Sequence, residues 1–97
     1  MANLERRASK TAEEYQARGL EYLENGDYDS AIANYTHAIR LNPNDAIAFL
    51  WRGDVYLDKG DYNSAIADYE TALRFEEDSY DSSIKIMLER AKQARGR

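Results

Sequence analysis

The side chains able to do chemistry are few in this chain and poorly spaced for it. A single histidine, His37, falls in a helical stretch, and no second histidine or cysteine is present to complete a metal site around it. The absence of thiols also excludes disulfides and thiol catalysis, and leaves the redox compartment unreadable. Carboxylates cluster at Asp27/Asp29, Asp54/Asp58 and Glu76/Glu77/Asp78. Such groups suggest acid–base work or calcium, but none has the ligand spacing of a calcium loop. Asp27 and Asp61 are, moreover, needed as helix caps. Solvated faces and caps explain these carboxylates better than catalysis. Ser30 and Ser64 lie in first turns of helices, and the glycines are spread out rather than gathered before one helix, so no phosphate loop exists. No catalytic, cofactor-binding or metal-ligating residue is assigned, and the chain reads as a non-enzyme.

Charge narrows the partners. With 13 basic and 18 acidic residues the net charge is −5, which argues against nucleic acid, whose phosphates require a basic face. It equally disfavours anionic membranes. Residues 1–11 carry charges but no apolar stretch, so they do not read as a secretion signal. No run approaches the roughly 18 apolar residues of a membrane span. The default expectation for location is the cytoplasm. At 97 residues the chain suits one domain, and eight of its aromatic residues are tyrosines, which pack well in thin, half-exposed layers.

An internal repeat supplies the scaffold for any site. Shifted by 34 residues, Ala12–Asp45 aligns with Ala46–Ser79 at 15 identical positions. Gly26-Asp27-Tyr28, Ser30-Ala31-Ile32-Ala33 and Tyr35 recur as Gly60-Asp61-Tyr62, Ser64-Ala65-Ile66-Ala67 and Tyr69. Arg18-Gly19 and Tyr22-Leu23 recur as Arg52-Gly53 and Tyr56-Leu57. Each unit reads as two helices. Thr11 and Glu14 form a capping box, Gly26 and Gly60 supply left-handed residues that end the first helix of each unit, and Asp27 and Asp61 cap the second. Ala31, Tyr35, Ala38 and their counterparts Ala65, Tyr69, Ala72 make an inward stripe in which small residues allow close helix approach. Asn42-Pro43 stops the second helix of the first unit, and Asp45 caps the next.

A 34-residue period carrying Tyr15, Gly19, Tyr22, Gly26, Ala31, Tyr35, Ala38 and Pro43, then Phe49, Gly53, Tyr56, Gly60, Ala65, Tyr69 and Ala72, resembles the tetratricopeptide repeat. Two departures stand out: Arg18 and Arg52 replace the family's usual leucine, and Glu77 replaces the closing proline of the second unit. The resemblance implies an all-α, right-handed superhelical stack of two helical hairpins plus a closing helix, about five helices in all. The expected division is a partly disordered extension over 1–11, repeats over 12–45 and 46–79, and a capping helix over 80–95, with 12–95 one domain. In the last segment Tyr80, Ile84, Met87, Ala91 and Ala94 share a stripe, as a helix covering the last repeat requires. A truncated third repeat is the competing reading of that segment.

In this family the first helices of successive repeats line a concave groove that holds a peptide or helix. Carried over by offset, the partner-binding positions are Glu13, Gln16, Leu20 and Glu24, then Ile47, Leu50, Trp51, Asp54 and Asp58, with Ala17 beside them. Leu23 and Leu57 flank the groove, and Ile84 and Leu88 close one end. A subset of the family grips a terminal carboxylate with lysine, asparagine and arginine; Gln16, Leu20 and Trp51 stand there instead, so that clamp is absent. An apolar floor with an acidic rim implies a protein or peptide partner offering apolar and basic side chains. Trp51 has two readings, a groove anchor or core packed on the last helix. Arg18 and Arg52 read as structural, with Asn34 and Asp68 as their acceptors, or as ligand-binding. At the level of function, a peptide-binding adaptor competes with a self-associating homodimer sealed by Ile86 and Leu88, and with an excised or engineered scaffold.

Overall fold

The structure, a computed structural model, describes residues 11–76 and 81–97. The expectations made for the extension before Thr11, for Glu77 and for Ser79 and Tyr80 fall outside the described residues. The described residues form five α-helices: α1 Ala12–Glu24, α2 Tyr28–Leu41, α3 Ala46–Lys59, α4 Tyr62–Phe75 and α5 Asp81–Arg95. No strand is present among them.

Local signals set the helix ends. Thr11 accepts from the Glu14 amide at 3.1 Å while Glu14 Oε1 accepts from the Thr11 amide at 2.7 Å, the reciprocal pair anticipated for α1. Asp27 and Asp61 each accept from a serine amide three residues on, and Asp45 accepts from the Ile47 amide. Gly26 and Gly60 turn the chain at φ of 78° and 93°, a region that costs any residue with a β-carbon about 1–2 kcal/mol. The connections they create are so short that α1/α2 and α3/α4 must fold back as antiparallel hairpins.

Two apolar clusters hold the stack. Ala31, Tyr35 and Val55 join the first hairpin to α3, with Tyr22, Leu23, Tyr28 and Ile32 around them. The second cluster runs from Ala46 and Leu50 through Ala65, Ile66, Tyr69 and Ala72 to Ile84, Leu88 and Ala91 of α5. Each helix packs chiefly on its chain neighbours, α1 on α2, α2 on α3, α3 on α4 and α4 on α5, which is the nearest-neighbour geometry of a solenoid. Ile84 and Ala91 are fully buried and Met87 and Ala94 half-buried, so the α5 stripe covers the second hairpin.

Glycine and tyrosine set the spacing within each hairpin. A β-carbon on Gly19 would lie 2.8 Å from the Tyr35 ring, and one on Gly53 would lie 2.8 Å from that of Tyr69. The rings therefore rest directly on the backbone of the partner helix. The repeat conserves this small-against-large pair internally, and the first copy of it forms the base of the candidate site.

Candidate functional site

The site is built outward from Tyr35. Its ring lies against Gly19 of α1 and is almost fully buried. On the side toward the second hairpin it meets Trp51 of α3, ring centroids 6.2 Å apart and tilted by 55°. Trp51 is 39% exposed and Leu20 48%. With Leu23 and Asp54 these residues line an open groove of about 270 Å³ between α1, α2 and α3. Of the two readings for Trp51, packing on the last helix is replaced by packing on Tyr35 of the preceding hairpin. Ala17, its counterpart one repeat earlier, is exposed.

Asp54 is the groove's one charged lining residue. It accepts a hydrogen bond from the Tyr69 hydroxyl at 2.5 Å. Burial pushes its carboxyl above the ordinary carboxylate range, the Tyr69 hydrogen bond opposes this, and the neighbouring negative charge of Asp58 adds to the rise. Tyr35 is pushed up to about 12, first by burial and then by the charges of Asp54 and Glu24. Tyr69 is raised further still, by burial and then by Asp54. Glu24 and Asp58, both exposed, thus act on the groove from its rim.

The nine sequence-derived positions separate into three groups. Leu20, Trp51 and Asp54 come together in the groove, with Glu24 and Asp58 beside it. Glu13 is exposed and Ile47 half-buried, and neither lines the groove. Leu50 and Gln16 are otherwise engaged. Leu50 is only 7% exposed and belongs to the second core cluster, because α3 turns that edge toward α4 and α5. Gln16 donates to Asp45 at 2.9 Å, tying α1 to the cap of α3. Leu88 likewise does not line the groove, since its side chain belongs to the core under α5; Ile86, by contrast, is 55% exposed.

Sequence reasoning missed Tyr35 as a lining residue, because offset rules look only at first helices. The available signal was the replacement of Ala17 by Trp51, whose bulk reaches the preceding tyrosine. It also read Asp54 as a solvated rim charge, when its hydroxyl partner lies 15 residues away on the facing helix.

Arg52 is structural. Its Nε and Nη2 donate to the two Asp68 oxygens, each at 2.8 Å, and Nη1 donates to Thr36 Oγ1 at 3.1 Å. Burial raises the Asp68 carboxyl, opposed by the guanidinium, while the hydrogen bond to Asp68 keeps Arg52 strongly protonated. Arg52 also lies over the Phe49 and Tyr56 rings. The first repeat does not reproduce this. Asn34 donates to the Ser30 carbonyl of its own helix and Arg18 is exposed, since a neutral amide offers a guanidinium far less than a carboxylate does.

His37 stacks on Tyr15 with centroids 4.9 Å apart. Among the described residues no cluster of three or more His, Cys, Asp or Glu is placed to hold a metal ion, and no helix is long and apolar enough to cross a membrane.

Comparison with known proteins agrees with this architecture. No curated protein matches the chain. Among solved structures it is similar to the second TPR of Spaghetti (RPAP3), determined bound to the HSP90 peptide SRMEEVD, with 23% sequence identity and a TM-score of 0.70 over 90% of this chain and 88% of that one. At that identity the likeness speaks for the fold alone. A family model for the tetratricopeptide repeat matches residues 17–82, well over half of the sequence. The twofold hairpin, its glycine–tyrosine contacts and this match lead to one conclusion: the chain belongs to the tetratricopeptide repeat family.

Proposed function

We propose that the chain is a protein–protein interaction module that holds an extended or helical segment of a partner in the groove beside Trp51. The observation that carries this reading is the exposed indole. A tryptophan 39% exposed stands over a groove of about 270 Å³ where the preceding repeat manages with alanine, so the fold does not need it there. Buried on binding, such an anchor contributes on the order of 2–4 kcal/mol. Leu20 and Leu23 extend the apolar floor, and Asp54, Glu24 and Asp58 give it a negative surround, which suits a segment with apolar and basic side chains.

The solved relative named above is bound to an acidic peptide. Gln16, Leu20 and Trp51 stand where the carboxylate-gripping subset of the family has basic and amide side chains, and this groove's charges would repel such a ligand. We therefore read the module as distinct from the carboxylate-clamp type. Capture from a library of apolar–basic peptides, compared between the natural chain and Trp51→Ala, tests the assignment. Strong loss on substitution is expected; equal capture by both proteins removes the site.

One observation favours a second reading, self-association: Ile86 is more than half exposed on the outer side of α5. A mass that rises with concentration in light scattering, and reverts to monomer in Ile86→Glu, would support it.

A further inference from the structure

We infer that the groove is read by a single arginine side chain of the bound segment, its aliphatic stem on Leu20 and Leu23, its guanidinium against the Trp51 ring and its charge met by Asp54. This rests on the groove reading proposed above and names the anchor that the groove selects.

The lining of the groove is four apolar or aromatic residues and one carboxylate, with no lysine or arginine among them. Among the described residues Asp54 has a hydroxyl donor, Tyr69, and no ion-pair partner. Arg52, the arginine two residues before it, is committed to Asp68 and Thr36. A half-buried carboxylate without a cation is an unfavourable arrangement that a neutral apolar anchor would worsen, by covering Asp54 and removing the water left to it. An acidic anchor would face Asp54, Asp58 and Glu24 together. A cationic anchor with an apolar stem satisfies both halves of the lining. Its stem covers leucine side chains as long basic residues do on apolar surfaces, and its charge compensates Asp54.

Arginine is favoured over lysine on shape. A guanidinium is planar, stacks on an indole face and still directs N–H groups at a carboxylate in its own plane. It is also more weakly hydrated than an ammonium, so it loses less on entering an apolar groove. The burial that pushes the Asp54 carboxyl upward points the same way, since a desolvated carboxylate gains most from a cation.

The experiment uses the full chain and three peptides of one leucine-flanked backbone, with arginine, lysine or citrulline at the central position. Trp51 is the chain's single tryptophan, so its emission reports occupancy directly. Arginine should bind tightest, and citrulline, which has nearly the same shape without the charge, on the order of tenfold or more weaker. Asp54→Asn should erase the gap between arginine and citrulline; asparagine can still accept the Tyr69 hydroxyl, and an unchanged melting temperature verifies the fold. Should citrulline bind as tightly as arginine and shift Trp51 emission equally, the groove stands and the arginine assignment falls. If no peptide changes the emission, the groove reading and this inference fall together. The arginine–citrulline comparison on the natural chain decides the matter even if the variant proves unstable.

Discussion

The Tyr69 hydroxyl donates to Asp54 across the α3–α4 interface at 2.5 Å, whereas its counterpart in the first repeat, Tyr35, lines the groove together with Leu20. Leu20 and Asp54 occupy equivalent places in the two repeats and both line the groove, but only Asp54 offers the tyrosine of its own hairpin an acceptor. The two tyrosines are nearly identical in burial and in their contact with a helix glycine. Their hydroxyls nonetheless do different things.

The difference is measurable. Tyr69→Phe removes the donor and leaves Asp54 half-buried without its hydroxyl, which should cost about 1–3 kcal/mol of unfolding free energy. Tyr35→Phe, with no carboxylate acceptor to abandon, should cost clearly less. Urea denaturation of the two variants side by side checks the order.

Both phenols should also make the fold sensitive to base. Folded Tyr35 is held at about 12 and Tyr69 higher still, against an ordinary value of about 10 in the unfolded chain. Below pH about 10 both states keep the proton and stability is intact. Above it the unfolded chain ionises first, so stability falls by about 1.4 kcal/mol per pH unit for each buried tyrosine, up to the folded value of each. Denaturation followed from neutral to alkaline pH should show this loss, and the Tyr35→Phe/Tyr69→Phe double variant should lose most of the slope.

The Arg52–Asp68 pair predicts strong non-additivity. The side chains are 18% and 7% exposed, so removing one strands the other charge. Arg52→Met or Asp68→Leu alone should cost on the order of 3–5 kcal/mol, and the double substitution less than the two summed. Thermal melts of the four proteins close the cycle, and simple additivity would show that the pair is uncoupled.

At the helix glycines, propensity and packing oppose each other. Alanine gains up to about 1 kcal/mol over glycine in a helix interior. A methyl on Gly53 would, however, lie 2.8 Å from the Tyr69 ring, and overpacking of this kind costs about 1–3 kcal/mol. Packing should win, so Gly53→Ala and Gly19→Ala are expected to lower the denaturation midpoint. In the double variant Gly53→Ala/Tyr69→Leu, which removes the ring, the added methyl should cost less.

Features carried by short-range chemistry can be read from the residues alone. Thr11, Asp27, Asp45 and Asp61 announce helix starts because a side-chain oxygen reaches an amide two or three residues on. Gly26 and Gly60 announce turns because only glycine takes a left-handed φ cheaply. The alanine–tyrosine stripes and the Arg52–Asp68 pair were legible for the same reason, since they lie within one hairpin whose geometry repeats. The rotation of the second hairpin against the first and against α5 emerges only in the folded chain. That rotation buries Leu50 and Leu88, exposes Trp51 beside Tyr35, spends Gln16 on Asp45 and seats Asp54 under Tyr69. A turn of a helix by one residue moves a side chain by about 100°, from groove to core. Spacing within a helix cannot fix that angle; the packing of many side chains across two interfaces does.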